Sequence, residues 1–140
     1  MRPLGCLLAA LGGAAVLAAT SIAGTNSASV LIIRHQTHGC HAWSMNNGAF
    51  RASQTIHLTR SGTITIINKD VMPQALVEKS GPKVHVIGNA KLSTMGASVK
   101  VTFTKAGTYH FVTKAGEDYP GFERPTVGED NTLTLAVIVS

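Results

Sequence analysis

Ser98-Val-Lys-Val-Thr-Phe-Thr-Lys-Ala-Gly-Thr-Tyr-His-Phe-Val-Thr113 reads as two strands and the turn between them. Apolar and polar residues alternate over its first seven positions, which puts Val99, Val101 and Phe103 on one face of an extended chain. Lys105-Ala-Gly107 carries turn chemistry, and the β-branched and aromatic run Thr108 to Thr113 then resumes the strand pattern. The same signature recurs on both sides. Ser29-Val-Leu-Ile-Ile-Arg34 is a short apolar run of the buried-strand type. Gln54 to Thr59 and Thr63 to Ile67 flank Arg60-Ser-Gly62, which reads as a hairpin-type turn with Gly supplying the positive φ. Gln74 to Glu78 and Val84 to Ile87 are further strands, and Thr132 to Val139 closes the chain with Leu133, Leu135, Val137 and Val139 on one face. No stretch beyond residue 28 sustains a helical apolar period, and only residues 89–96 have room for a turn or two of helix. About eight short strands with Gly-containing turns predict an all-β sandwich or barrel of one domain.

The 140 residues begin with Arg2 and an apolar, small-residue stretch from Leu4 to Ala19. Ser21-Ile-Ala23 and Asn26-Ser-Ala28 both end in residues that a signal peptidase accepts. Residues 1–28 are therefore expected to be a signal peptide cleaved after Ala23 or Ala28, with 29–140 as the folded domain. An uncleaved anchor is the alternative, since the apolar stretch approaches bilayer length. Either way the domain is expected to be exported, to a periplasmic, extracellular or cell-envelope location. A chain freed from its signal does not span the membrane.

A net charge of +5 comes from basic residues scattered singly along the chain. Nucleic-acid binders gather such residues on one face with stacking aromatics, and only 5% of this chain is aromatic, so no nucleic-acid partner is expected. Nucleophile elbows, phosphate-cradling glycine loops, metalloprotease helices and paired Cys-x-x-Cys patterns are all missing from the sequence. Glu117 and Asp118 are adjacent carboxylates, but adjacent residues of an extended loop diverge, and a solvated loop accounts for them. The chain is not expected to be an enzyme.

Cysteine usage is more informative. Cys6 lies in the signal segment, so Cys40 is the single thiol of the exported domain and has no intramolecular partner. It sits in Thr37-His-Gly-Cys-His-Ala-Trp-Ser-Met45, with His35 just upstream. Thiolate and thioether suit Cu(I), and imidazole suits Cu(II) and zinc. His38 and Cys40 would share a face if the segment were a strand, and a bulge at Gly39 would bring His41 round to them. Against this, a free thiol is often a small buried hydrophobe, and Trp43 reads as core or as a shield for a site. His57, His85 and His110 read as ordinary surface or core residues, and His35 is open to either reading.

Ala49-Phe50, the run Ile56-His-Leu-Thr-Arg-Ser-Gly-Thr-Ile-Thr-Ile-Ile-Asn-Lys-Asp70, and Met72-Pro73 resemble the second, third and fourth strands of the cupredoxin (blue-copper) family. Val101 to Phe111 resembles the hairpin that leads into the copper-binding loop of that family, and the likeness covers most of residues 29–140. It implies a cupredoxin-like Greek-key β-sandwich. The ligands depart from the pattern. Gln74 stands where the family has its first His, Thr113 where it has its Cys, and Lys114-Ala-Gly-Glu-Asp-Tyr-Pro-Gly121 where its second His and Met follow. A threonine hydroxyl cannot supply the thiolate of a trigonal His₂Cys copper site.

The resemblance also places the connection between the first two strands at the family's copper end. The resulting expectation is a relocated copper site with His38, Cys40 and His41 as ligands and Met45, Met72 or Gln74 as a weak axial donor. Copper, cycling between Cu(I) and Cu(II), is favoured over zinc by the resemblance, the methionines and the export signal. The expected roles are electron transfer or copper handling, with a redox or copper-delivery protein as partner. The alternative is a metal-free module that binds a protein or an envelope component.

Overall fold

A computed structural model describes residues 29–115, Gly128 and residues 131–140. Residues 1–28, expected to be a signal peptide, the acidic pair Glu117/Asp118 and the loop up to Gly121 lie outside the described residues. Eleven strands run in the order β1 (Ser29–His35), β2 (His41–Met45), β3 (Phe50–Arg51), β4 (Ser53–Leu58), β5 (Gly62–Asn68), β6 (Gln74–Ser80), β7 (His85–Gly88), β8 (Lys91–Leu92), β9 (Ser98–Phe103), β10 (Gly107–Ala115) and β11 (Leu133–Val139). They form two sheets, ordered β3-β2-β1-β5-β9-β7 and β4-β11-β10-β6-β8. β1 runs parallel to β5 and β4 parallel to β11, while the other pairings are antiparallel. The chain is thus an all-β sandwich of two sheets, as expected from the alternation. Among the described residues no helix is long and apolar enough to cross a membrane.

The core lies between the sheets and follows the period-two pattern. Leu31, Ile33, Trp43, Ile64, Ile66, Val99, Val101 and Phe103 face it from the first sheet. Ile56, Leu58, Tyr109, Phe111, Leu133, Leu135, Val137 and Val139 face it from the second. Phe103 meets Tyr109 edge-on at 4.9 Å between ring centroids and Phe111 at 6.1 Å. Such pairs contribute about 0.5–1.5 kcal/mol beyond the area they bury.

The structure corrects the reading of the turns. Arg60-Ser-Gly62 joins β4 to β5, yet these strands lie in different sheets, so the turn is an arch across the sandwich and not a hairpin. The positive φ belongs to Ser61, at 67°. Gly62 is needed for space, because a Cβ there would lie 2.8 Å from the Thr59 carbonyl oxygen. Lys105-Ala-Gly107 likewise carries β9 across to β10, and the Tyr109 hydroxyl donates to the Lys105 carbonyl at 2.6 Å. Residues 89–96 form no helix; they hold β8, which pairs with the start of β6. Three short strands, β2, β3 and β8, raise the count from about eight to eleven.

Candidate metal centre

The β1–β2 turn is built around Cys40. His35 ends β1 and His41 begins β2, and the two are direct cross-strand partners. Both continue the inward-facing series of their strands, Leu31 and Ile33 on one and Trp43 on the other. Opposed residues of an antiparallel pair share a face with Cβ atoms about 5 Å apart, so both imidazoles belong to the inner layer at this pole. Between them Gly39 and Cys40 take positive φ values of 73° and 58°. A left-handed conformation is unusual for a residue with a side chain. It is held by backbone bonds from Gln36 N–H to the Cys40 carbonyl (2.6 Å) and from His41 N–H to the Gly39 carbonyl (2.7 Å). Asn131 locks the turn from outside, its backbone N–H donating to Gly39 O and its side-chain Nδ2 donating to His41 O, each at 3.0 Å. A side chain at position 39 would collide with the Asn131 amide, so Gly39 is required for both reasons.

This turn decides which residues meet. Cys40 is fully buried, and its Sγ lies 3.6 Å from Met72 Sδ and 3.9 Å from His35 Nδ1. The thiol donates toward the Met72 sulfur. His38, in contrast, is exposed and lines an open cavity of about 380 Å³ with Gln36, Thr37, Ala42, Arg51 and Asn131. The expected set of His38, Cys40 and His41 is therefore divided: among the described residues no three His, Cys, Asp or Glu side chains form a group able to hold a metal. The strand alternation that would have joined His38 to Cys40 fails because two successive left-handed residues turn the chain. A ring nitrogen that approaches Cys40 is Nδ1 of His35, the last residue of β1.

His41 is buried at 1% exposure, with Nδ1 3.9 Å from Asp70 Oδ2. Asp70 and Asn68 bracket Met72. The Met72 backbone N–H donates to Asp70 Oδ1 at 3.1 Å, and Asn68 Nδ2 donates to the Met72 carbonyl at 2.8 Å and to Leu92 O at 2.9 Å. Asp70 N–H donates to Asn68 Oδ1 at 2.9 Å. Thus the Asn/Asp pair picked out by the resemblance fixes the backbone that carries the thioether.

The other expected donors are dispersed. Met45 packs against the hydrophobic core. Gln74 is buried at the start of β6, and neither its Oε1 nor its Nε2 has a hydrogen-bond partner within the protein. Thr113, buried on the adjacent strand β10, has an Oγ1 in the same condition. Both positions thus carry polar, buried side chains. His57, His85 and His110 are exposed, in keeping with their ordinary reading, and Trp43 is a core residue.

No family model matches this chain, and no curated protein matches it in sequence. Its structure does have counterparts. The Cu(I) form of an amicyanin mutant is 14% identical, with a TM-score of 0.41 over 79% of this chain and 82% of that one. A copper-containing nitrite reductase from Thermus scotoductus is 14% identical with a TM-score of 0.41, over 79% of this chain and 22% of that one. A cysteine protease inhibitor from Entamoeba histolytica is matched as well, at 12% identity and a TM-score of 0.41, over 81% of this chain and 96% of that one. What the site can do rests on its own geometry.

Two of its separations bear on whether it could hold a soft metal ion. A metal held at about 2.3 Å by sulfur and about 2.0 Å by imidazole requires donors roughly 3.5–4 Å apart. The separations from Cys40 Sγ to Met72 Sδ and His35 Nδ1 fall in that interval. Thiol, thioether and imidazole are also the donors that select copper over harder ions.

Proposed function

We propose that this protein is an exported copper-binding protein that takes up Cu(I) at Cys40, His35 and Met72 and passes it to a delivery partner. The observation that supports this most is the approach of one buried thiol to both a thioether and an imidazole. Copper bound there would supply a soft, one-electron-active centre. The chain supplies the rest. Cys40 provides the single anionic sulfur, and the strained turn keeps it aimed inward. Met72 is held against it by the Asn68/Asp70 bracket. His35 is only half-buried, so the site has one side closer to solvent. Two sulfur donors favour Cu(I), which supports handling over electron transfer. Export is supported by the leader-like residues 1–28.

The test is loading of the purified protein with Cu(I) under reducing, oxygen-free conditions, and separately with Cu(II). About one Cu(I) per chain should survive desalting, with no strong visible band, as a three-donor soft site predicts. An intense thiolate-to-Cu(II) band of comparable stoichiometry would favour electron transfer. Copper lost on desalting in both states would favour the metal-free module.

A further inference from the structure

Gln74 and Thr113 are buried polar side chains that the candidate centre leaves unused. Gln74 is 2% exposed and Thr113 3%. Neither end of the Gln74 amide has a hydrogen-bond partner within the protein, and neither does the Thr113 hydroxyl. Buried polar groups are nearly always paired, with protein or with ordered water, and an unpaired one is destabilising. The strand neighbours explain why the protein supplies no partner. Thr113 stands between Leu76 on β6 and Leu133 on β11, and Gln74 is paired with Leu92 on β8. None of these three leucines can form a side-chain hydrogen bond.

The register brings the two orphaned groups toward each other. Thr113 is opposite Leu76, two residues along β6 from Gln74, and both polar residues continue the buried series of their strands. Diagonal neighbours of this kind stand about 7–8 Å apart, within reach of a long side chain. Two hydrogen bonds of about 2.8 Å through a single water span most of that gap. The atoms also select the ligand. The amide presents N–H donors and an acceptor oxygen, and the hydroxyl serves as either. A cation would leave the amide N–H groups unpaired, and an anion would leave the amide oxygen unpaired. Water both donates and accepts, and turning the amide over changes nothing, because both of its ends lack partners.

We infer that Gln74 and Thr113 hold a buried water between the sheets, bound to both side chains across β6 and β10. Buried waters serve polar groups that the protein itself leaves unpaired, at two to four hydrogen bonds each. This site is independent of the copper reading.

The copper-free protein tests this in two ways. A crystal structure should show one water within about 3 Å of both Thr113 Oγ1 and one end of the Gln74 amide. A direct bond between the two side chains, or an ion in the water's place, would overturn the inference. Thermal unfolding separates a shared water from two groups that are merely unpaired. With the water in place, Thr113→Val and Gln74→Leu each leave it and the remaining group short of a partner. Each should lower the melting temperature by roughly 3–6 °C. The double variant should lower it by less than the sum, because the whole polar set is gone and the water leaves with it. Without a water, Thr113→Val would delete an unpaired buried hydroxyl and raise the melting temperature. Such a rise, or single effects that simply add, would overturn the inference.

Discussion

Cys40→Ser lowers the affinity for Cu(I) by more than about 100-fold and leaves the sandwich folded. The lower bound follows from outer partners of a metal site, whose loss alone costs about 10- to 100-fold. In the proposed site Cys40 is a direct donor and the only anionic one among the three. A serine hydroxyl is not ionised at neutral pH and is a hard donor, so it replaces neither the charge nor the softness. Folding should survive because Cys40 and Met72 lie outside the hydrophobic cluster that joins the two sheets. The left-handed backbone at position 40 is equally strained with either side chain. The check is a chelator competition on both proteins, with thermal unfolding followed in parallel. A variant that keeps wild-type affinity would remove Cys40 from the site, and a variant that unfolds would assign the thiol a structural role instead.

The second large effect is on stability. Phe103→Ala should cost about 3–5 kcal/mol, the usual range for removing a buried aromatic ring. Phe103 is fully buried where β9 packs across to β10, and it is the ring shared by both edge-on contacts, with Tyr109 and with Phe111. Its removal leaves those two rings facing a cavity that sheet packing cannot close. For a domain of this size the melting temperature should drop on the order of 15 °C. Trp43 is the single tryptophan and is fully buried, so its fluorescence reports the unfolding directly. A loss below about 1 kcal/mol would mean that the two sheets do not share this core.

Strand positions were legible because burial follows alternation. Val99, Val101, Phe103, Leu133, Leu135, Val137 and Val139 are all buried as their spacing predicts. Pairing was not legible. Arg60-Ser-Gly62 and Lys105-Ala-Gly107 have turn residues that serve an arch between sheets as well as a hairpin within one, and only the distant partners β1, β9 and β11 decide between them. The strand β2 was hidden for a different reason. His41-Ala-Trp-Ser-Met45 has no β-branched residue, and its His and Met drew attention as ligands rather than as the inward series of a strand.

At the candidate site, the cluster of soft donors drew attention to Cys40 and Met72, and the structure brings their sulfurs to 3.6 Å. His35 was left open, although the series Leu31, Ile33, His35 already placed it on the inner face. His38 was favoured because a strand was assumed through Gly39 and Cys40. Their two positive φ values undo that assumption, and nothing in the residue types of Cys40 signals a left-handed backbone.

The most direct measurement is X-ray absorption at the copper edge of the Cu(I)-loaded protein, with Met72→Leu beside the wild type. Two sulfur scatterers and at least one imidazole nitrogen are predicted for the wild type, and one sulfur for the variant. Copper surrounded by nitrogen and oxygen alone, or a sulfur shell unchanged by Met72→Leu, would contradict a centre built on Cys40, Met72 and His35.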